Sequence, residues 1–316
     1  MLVKNFDKLD KLTQESTRAA WGEALLALAK KNKDIVVVSA DLAESTRVQE
    51  FGQKYPERFF EVGVAEQNMA GVACGLALSD KIPFMASFGV FSPGRNWDQI
   101  RLSICYSKAN VKIVATHCGL SVGQDGASHQ ALEDIALMRC LPNMTVIAPS
   151  DARQTKKAVE AMINHKGPVY LRLTRPNTPV FTSTKANFKI GRANVLHRGT
   201  AVTIVGCGPS LHQALLVAKK LNAEVIDCHT IKPLDKNTIL RSVKKTGRLI
   251  TLEDHQIMGG LGSAVTEMLA QNYPVPTHMI GVQDTFGESG NPDKLYDKYG
   301  LSSRHIVAAA KNLLKK

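Results

Sequence analysis

Nine short runs rich in β-branched residues recur along the chain, each separated from the next by a segment long enough for a crossover. They are IVVVSA (35–40), PFMASF (83–88), VKIVATH (111–117), TVIAPS (145–150), PVYLRL (168–173), AVTIVG (201–206), EVIDCH (224–229), RLITLE (248–253) and HMIGV (278–282). Antiparallel strands can be joined by two-residue turns, whereas parallel strands need a crossover of a dozen or more residues, usually a helix. The spacing therefore predicts an α/β fold of parallel-sheet type, with strands covered on both faces.

The segments between the runs carry helix signals. STRAAWGEALLALAKKN (16–32) has apolar residues at helical spacing and a basic end that suits the dipole. Ser150 is expected to cap DARQTKKAVEAMI, and Pro209, after Gly208, is expected in the first turn of SLHQALLVAKKL. The stretch RLTRPNTPVFTSTKANFKI (172–190) has two prolines and no helical period. It predicts a division near residue 185, into an N-terminal α/β domain (1–185) and a smaller C-terminal α/β domain (190–316). A length of 316 residues suits two domains of roughly 100–200 residues each.

Composition narrows the function classes. With 44% apolar and 22% charged residues the chain reads as globular. Its longest apolar runs fall short of the roughly 18–20 residues needed to span a bilayer, and the N-terminus lacks the apolar core of a signal peptide, so no membrane partner and a cytoplasmic location are expected. The cysteines, Cys74, Cys105, Cys118, Cys140, Cys207 and Cys228, form no CxxC and no Cys-His ladder. They read as small core residues and not as a metal site. The net charge of +12 is dispersed, without the aromatic interleaving of single-strand binders. Phosphorylated or carboxylated small molecules are expected, and no nucleic acid.

In an open parallel sheet, ligands bind at the carboxyl ends of the strands. Asp41, Glu44 and Ser45 follow the first run; Glu66 follows FFEV in FFEVGVAEQNMAG; Phe91 follows Phe88. Asp125 and His129 lie in CGLSVGQDGASHQALED, and Arg175 follows YLRLT. Each has an ordinary reading: Glu66 as a carboxylate at a helix N-terminus, His129 as a first-turn residue, Arg175 as a solvated charge, and Phe88 and Phe91 as core. Their convergence on one rim favours a site. Two phosphate motifs fail. Gly206-Cys207-Gly208 lacks the third glycine of GxGxxG, since position 211 is Leu, and GGLGSA (259–264) lacks the Lys-Ser/Thr of a P-loop and reads as a tight turn into a helix.

GVAEQNMAGVACGLA, ASFGVF, GQDGASHQALEDIALMRCLPNMTVIAPSD and YLRLTR, in this order, resemble the transketolase family of thiamine diphosphate enzymes, from about residue 15 onward. The resemblance covers that family's pyrimidine-binding and C-terminal domains. It implies that a divalent metal (Mg or Ca) and the cofactor's diphosphate are held mainly elsewhere, because the family's Gly-Asp-Gly is absent. The implied assembly is the β (C-terminal) subunit of a split-gene transketolase with a separate N-terminal subunit, as an α2β2 heterotetramer in the pentose phosphate pathway.

Position by position, Glu66 matches the glutamate that bonds the aminopyrimidine and activates the cofactor. Phe88 and Phe91 match its aromatic pocket, and Asp41 the acid near the cofactor. Ser45, His117, Arg18 and Arg175 match the contacts to a sugar phosphate, Asp125 the acid on a sugar hydroxyl, and His129 the histidine at the reacting end. The implied reaction moves a two-carbon ketol unit from a ketose phosphate to an aldose phosphate. The chain departs from the family at Gly94, where a further aromatic is usual, and at Cys118-Gly119, where an aspartate is usual. Alternatives are a 1-deoxyxylulose-5-phosphate synthase-like enzyme, a 2-oxo acid dehydrogenase β-like subunit, and a non-catalytic scaffold. His255 and Glu288 are expected to pack or to contact a subunit.

Overall fold

The computed structural model describes residues 1–315. Among them are fourteen strands: β1 (Gln14–Ser16), β2 (Ile35–Ser39), β3 (Phe59–Glu61), β4 (Ile82–Phe88), β5 (Lys112–Thr116), β6 (Thr145–Ile147), β7 (Val169–Arg172), β8 (Asn177–Pro179), β9 (Asn194–His197), β10 (Val202–Gly206), β11 (Ala223–Asp227), β12 (Thr230–Lys232), β13 (Leu249–Gln256) and β14 (Thr277–Val282). Every β-branched run contributes a strand. A seven-stranded sheet has the order β12-β6-β7-β5-β4-β2-β3, and a five-stranded sheet the order β14-β13-β10-β11-β9. All pairings in both are parallel except β12 with β6 and β11 with β9. Strands β2, β5, β10 and β11 are buried at every position. Continuous burial is why they read as unbroken apolar runs and not as alternating ones.

The pairing across the expected boundary was not legible. Strand β12 comes from residues 230–232 yet closes the edge of the N-terminal sheet by pairing with β6. Three residues, Thr-Ile-Lys, carry no periodicity from which to read this. One apolar core also crosses between the sheets, joining Met138, Leu141 and Val146 to Val205, Ile226 and Leu261. Strand β8, inside the proline-rich stretch, pairs with β1.

Local caps differ from expectation in two places. Ser16 caps the helix Thr17–Ala29 by accepting from the Ala19 N–H. At the helix Ala152–Asn164 the cap is Asp151, which accepts from Gln154 N–H at 2.9 Å; Ser150 instead donates its hydroxyl to Asp227 at 2.7 Å. Asp151 wins because its carboxylate also takes the Phe181 and Thr182 N–H groups, more than one hydroxyl can do. Pro209 lies outside the helix Leu211–Ala218, whose first turn it was expected to occupy, with Ser210 between them. The turn at GGLGSA leads into the helix Leu261–Asn272, and the Glu253 carboxylate accepts from the Leu261 and Gly262 N–H groups, each at 2.7 Å. The chain's own acid therefore fills the anion-binding end of that helix.

Five of the six cysteines are buried, as core residues should be; Cys140 is exposed. No helix among the described residues is long and apolar enough to cross a membrane.

Candidate active site

The site forms where the loops after β2, β3, β4, β5 and β7 meet. Glu66 is the first residue of the helix Glu66–Leu78, and its side chain is only 3% exposed. The sharp entry is made by Gly63 at φ 71°, with Ala65 N–H donating to Gly63 O. Glu61, at the end of β3, holds this corner: its Oε1 accepts from Asp41 N–H at 2.7 Å and Gly63 N–H at 3.0 Å. Glu61 escaped sequence reading because one of the two backbone amides it holds, that of Asp41, is twenty residues away in the chain. Asn96 donates to the Glu66 carbonyl at 3.1 Å and ties the helix start to the loop after β4.

Phe88 and Phe91 stack with ring centroids 5.7 Å apart, and His117 stacks on Phe88 at 3.7 Å. His129 meets Phe91 edge-on at 5.6 Å. The guanidinium of Arg95 lies 4.1 Å over the Phe91 ring while Nη1 donates to Glu66 Oε1 at 3.0 Å. A flat, cationic donor thus rests on an aromatic face and reaches a buried carboxylate. An aminopyrimidine is likewise flat and carries polar nitrogens on its rim, so Glu66 and Phe91 fit the pyrimidine half of thiamine diphosphate.

Beside this corner opens a cavity of about 410 Å³, lined by Arg18, Ser45, Phe88, His117, Asp125, His129 and Arg175 among others. Arg18 donates through Nη1 to Ser45 O at 2.7 Å and through Nε to Arg175 O at 3.2 Å. Arg175 donates to Val122 O at 2.9 Å and stands 3.8 Å from Asp125. His129 Nδ1 pairs with Ser128 Oγ at 2.9 Å. Seven of the ten residues read from the sequence line this cavity. Glu66 and Phe91 adjoin it through the aromatic stack, and Asp41, which is exposed, does not line it.

Burial, together with Arg18, Arg175, His129 and Arg47, pushes the His117 imidazole down to about 3. Its Nδ1 is paired with Thr116 Oγ1 at 2.9 Å, so Nε2 is the nitrogen left for a ligand. His117 therefore stays neutral across ordinary assay pH. Because the unfolded imidazole binds a proton that the folded one refuses, this group lowers stability as pH falls from about 6.5 toward 3. The expected observation is a His117 ring resonance that does not titrate between pH 5 and 8, read by NMR against a His117→Asn assignment control.

The C-terminal domain shapes the loop that carries Asp125 and His129. Gln130 donates to the Glu288 carbonyl at 3.0 Å, and Gly290 N–H donates to Gly123 O at 3.3 Å. At Gly119, φ is 86° and a Cβ would come within 2.1 Å of Asp254, whose carboxylate accepts from Leu120 N–H and the Tyr296 hydroxyl. Only glycine fits at this position. His255 is fully buried and accepts from Ile135 N–H at 3.2 Å, a packing contact between the domains. Among the described residues no three His, Cys, Asp or Glu side chains gather as a metal site.

Comparison with known proteins matches this geometry to a family. A model of the transketolase pyrimidine-binding domain matches residues 13–180, and one of the transketolase C-terminal domain matches residues 191–306. A transketolase C-terminal section from Methanocaldococcus jannaschii is 44% identical, over 95% of this chain and 96% of its own length. A 6-deoxy-6-sulfo-D-fructose transketolase subunit from a Clostridium species is 42% identical, over 95% of each chain. The solved structure of a split-gene transketolase, described as an inactive β4 tetramer, aligns with a TM-score of 0.89 and 48% identity, covering 95% of this chain and 99% of that one. Two mostly parallel α/β sheets, a buried glutamate beside stacked phenylalanines and these matches lead to one conclusion: the chain belongs to the transketolase family, as its pyrimidine-binding and C-terminal domains.

Proposed function

We propose that this chain is the β subunit of a thiamine diphosphate-dependent transketolase that moves a two-carbon ketol unit from a ketose phosphate to an aldose phosphate. A separate N-terminal subunit supplies the diphosphate and metal grip, in an α2β2 assembly. The observation that carries this reading is continuity: the buried Glu66, the Phe91 face and the arginine-lined cavity adjoin through one aromatic stack. The inactive all-β assembly of the 48% identical relative supports the need for a partner.

When bound, the cofactor supplies a carbon nucleophile and an electron sink. The chain's residues do the rest. Glu66 would hold the pyrimidine half of the cofactor and keep a proton at its own buried carboxylate. Arg95, half-exposed over the Phe91 ring, would have to leave that face to admit the cofactor. Phe88 and Phe91 exclude water from the reacting face. His117 and His129 border the cavity where substrate oxygens change charge. Arg18, Ser45 and Arg175 hold the remote anionic group, so that binding there orients the reacting carbon. Asp125, which lines the same cavity, accepts from a sugar hydroxyl.

The test is to assay the purified chain alone, then mixed with a candidate N-terminal subunit carrying Gly-Asp-Gly and a following Asn. Ketol transfer is expected only in the mixture and only with thiamine diphosphate. Robust transfer by this chain alone would refute the split-site reading, and turnover of pyruvate in place of a ketose phosphate would reassign the substrate.

A further inference from the structure

The anion cavity is lined by a third guanidinium, Arg47, beside Arg18 and Arg175. Its position is built into the fold. Trp21 Nε1 donates to Thr46 O at 3.0 Å, Thr46 Oγ1 donates to Leu42 O at 2.8 Å, and Arg47 N–H donates to Glu44 O at 3.1 Å. These bonds lock the turn after β2 against the helix Thr17–Ala29. The helix approaches so closely at Gly22 that a Cβ there would come within 2.6 Å of Arg47 O. Arg47 itself has φ 66°. An arginine gains nothing locally from left-handed backbone, and a non-glycine residue held there marks strain that the surrounding contacts must sustain.

The charge arrangement is equally unusual. Arg47 makes no ion pair among the described residues, although Glu44 lines the same cavity. Arg175 has only Asp125, at 3.8 Å. Burial, then Arg47 and Arg175, push the Arg18 guanidinium below its ordinary value, so the three cations face one another at a cost. Three guanidiniums against two carboxylates, Asp125 and Glu44, leave the cavity lining net positive, and an anion that bridges the guanidiniums stabilises it.

We propose that Arg47 is a specificity-determining residue that completes a three-arginine grip on a terminal phosphate dianion, favouring phosphosugars over substrates ending in a singly charged sulfonate. The inference rests on the ketol-transfer reading and sharpens its substrate class. A sulfonate and a phosphate ester each present three free oxygens but differ in charge, so a further guanidinium attracts the phosphate dianion about twice as strongly as the sulfonate monoanion. Ser45, two residues before Arg47 and a lining residue of the cavity, adds a hydroxyl donor on the same turn.

The experiment compares the wild-type chain with Arg47→Gln, Arg47→Lys and Arg175→Gln. Binding of inorganic phosphate and of methanesulfonate is measured by calorimetry on the full chain, and inhibition by both anions in the enzyme reconstituted with its N-terminal subunit. Removing Arg47's charge is expected to weaken phosphate binding about tenfold or more while changing methanesulfonate less than about threefold. Arg47→Lys is expected to fall between wild type and Arg47→Gln. If Arg47→Gln binds phosphate as wild type does while Arg175→Gln does not, the role of Arg47 is overturned and the phosphosugar reading stands. Equal losses for the two anions overturn the selectivity. A wild-type chain that binds neither anion, alone or reconstituted, overturns both readings together.

Discussion

Glu66→Gln, reconstituted with the N-terminal subunit, is expected to lose ketol transfer by about 10²–10⁴-fold, the usual contribution of a positioned acid or base. The substitution keeps size and a hydrogen-bonding oxygen but removes the ionisable proton site. The side chain is 3% exposed, so water does not reach it to substitute. Folding should survive, because the buried residue's ionic partner, Arg95, is 50% exposed and can turn its charge to solvent. Thiamine diphosphate should still bind, since the Phe91 face is untouched; calorimetry on the mixed subunits reads this independently of turnover. An unchanged rate, with cofactor bound, would remove Glu66 from the mechanism and favour the scaffold alternative.

The second large effect concerns stability. Breaking the Asp134–Arg172 pair is expected to cost about 3–5 kcal/mol, measured by denaturant unfolding of Arg172→Met or Asp134→Asn. Arg172 Nε donates to Asp134 Oδ2 at 2.8 Å, and the two side chains are 4% and 1% exposed. Tyr170 donates to the same carboxylate oxygen at 2.7 Å, and Arg172 Nη2 donates to Ala131 O at 3.2 Å and across the domain boundary to Asp254 O at 2.8 Å. Burial pushes the Asp134 carboxyl up, but Arg172, His255 and the hydrogen bonds from Arg172 and Tyr170 together hold it below its ordinary value. Removing either partner strands a buried charge in a site that joins both domains. An apolar double replacement, Asp134→Leu with Arg172→Met, should recover much of the loss, because neither charge then lacks a counterion. A cost below about 1 kcal/mol for both single variants would show that the pair is hydrated in solution.

Neither Asp134 nor Arg172 was legible as a structural pair. Both stand in the motifs that drew attention to the site, GQDGASHQALED and YLRLTR, where a charge next to a candidate ligand reads as part of the ligand set. Sequence position separates two neighbouring arginines by three residues; the pleat separates them by function. Arg172, on β7, points into the core, while Arg175, just past its end, lines the cavity. Arg95 and Arg47 were missed for the converse reason. Each lies in an irregular loop, SPGRNW and STRVQ, where an arginine carries no periodic signal and only the folded turn reveals what it faces.

By itself the sequence determined the fold class, the strand-end rim and most of its lining. Buried parallel strands must be continuously apolar, crossovers must be long, and ligands gather at carboxyl ends, so local pattern suffices. The tertiary structure alone decided which polar residue caps a helix, which strand closes the N-terminal sheet, and which of several arginines face the cavity. Those choices depend on competition between groups far apart in the chain, such as Asp151 with Thr182, β12 with β6 and Arg47 over Gly22. A hydrogen bond or close approach between distant segments has no local signature, because its energy exists only once both segments are in place.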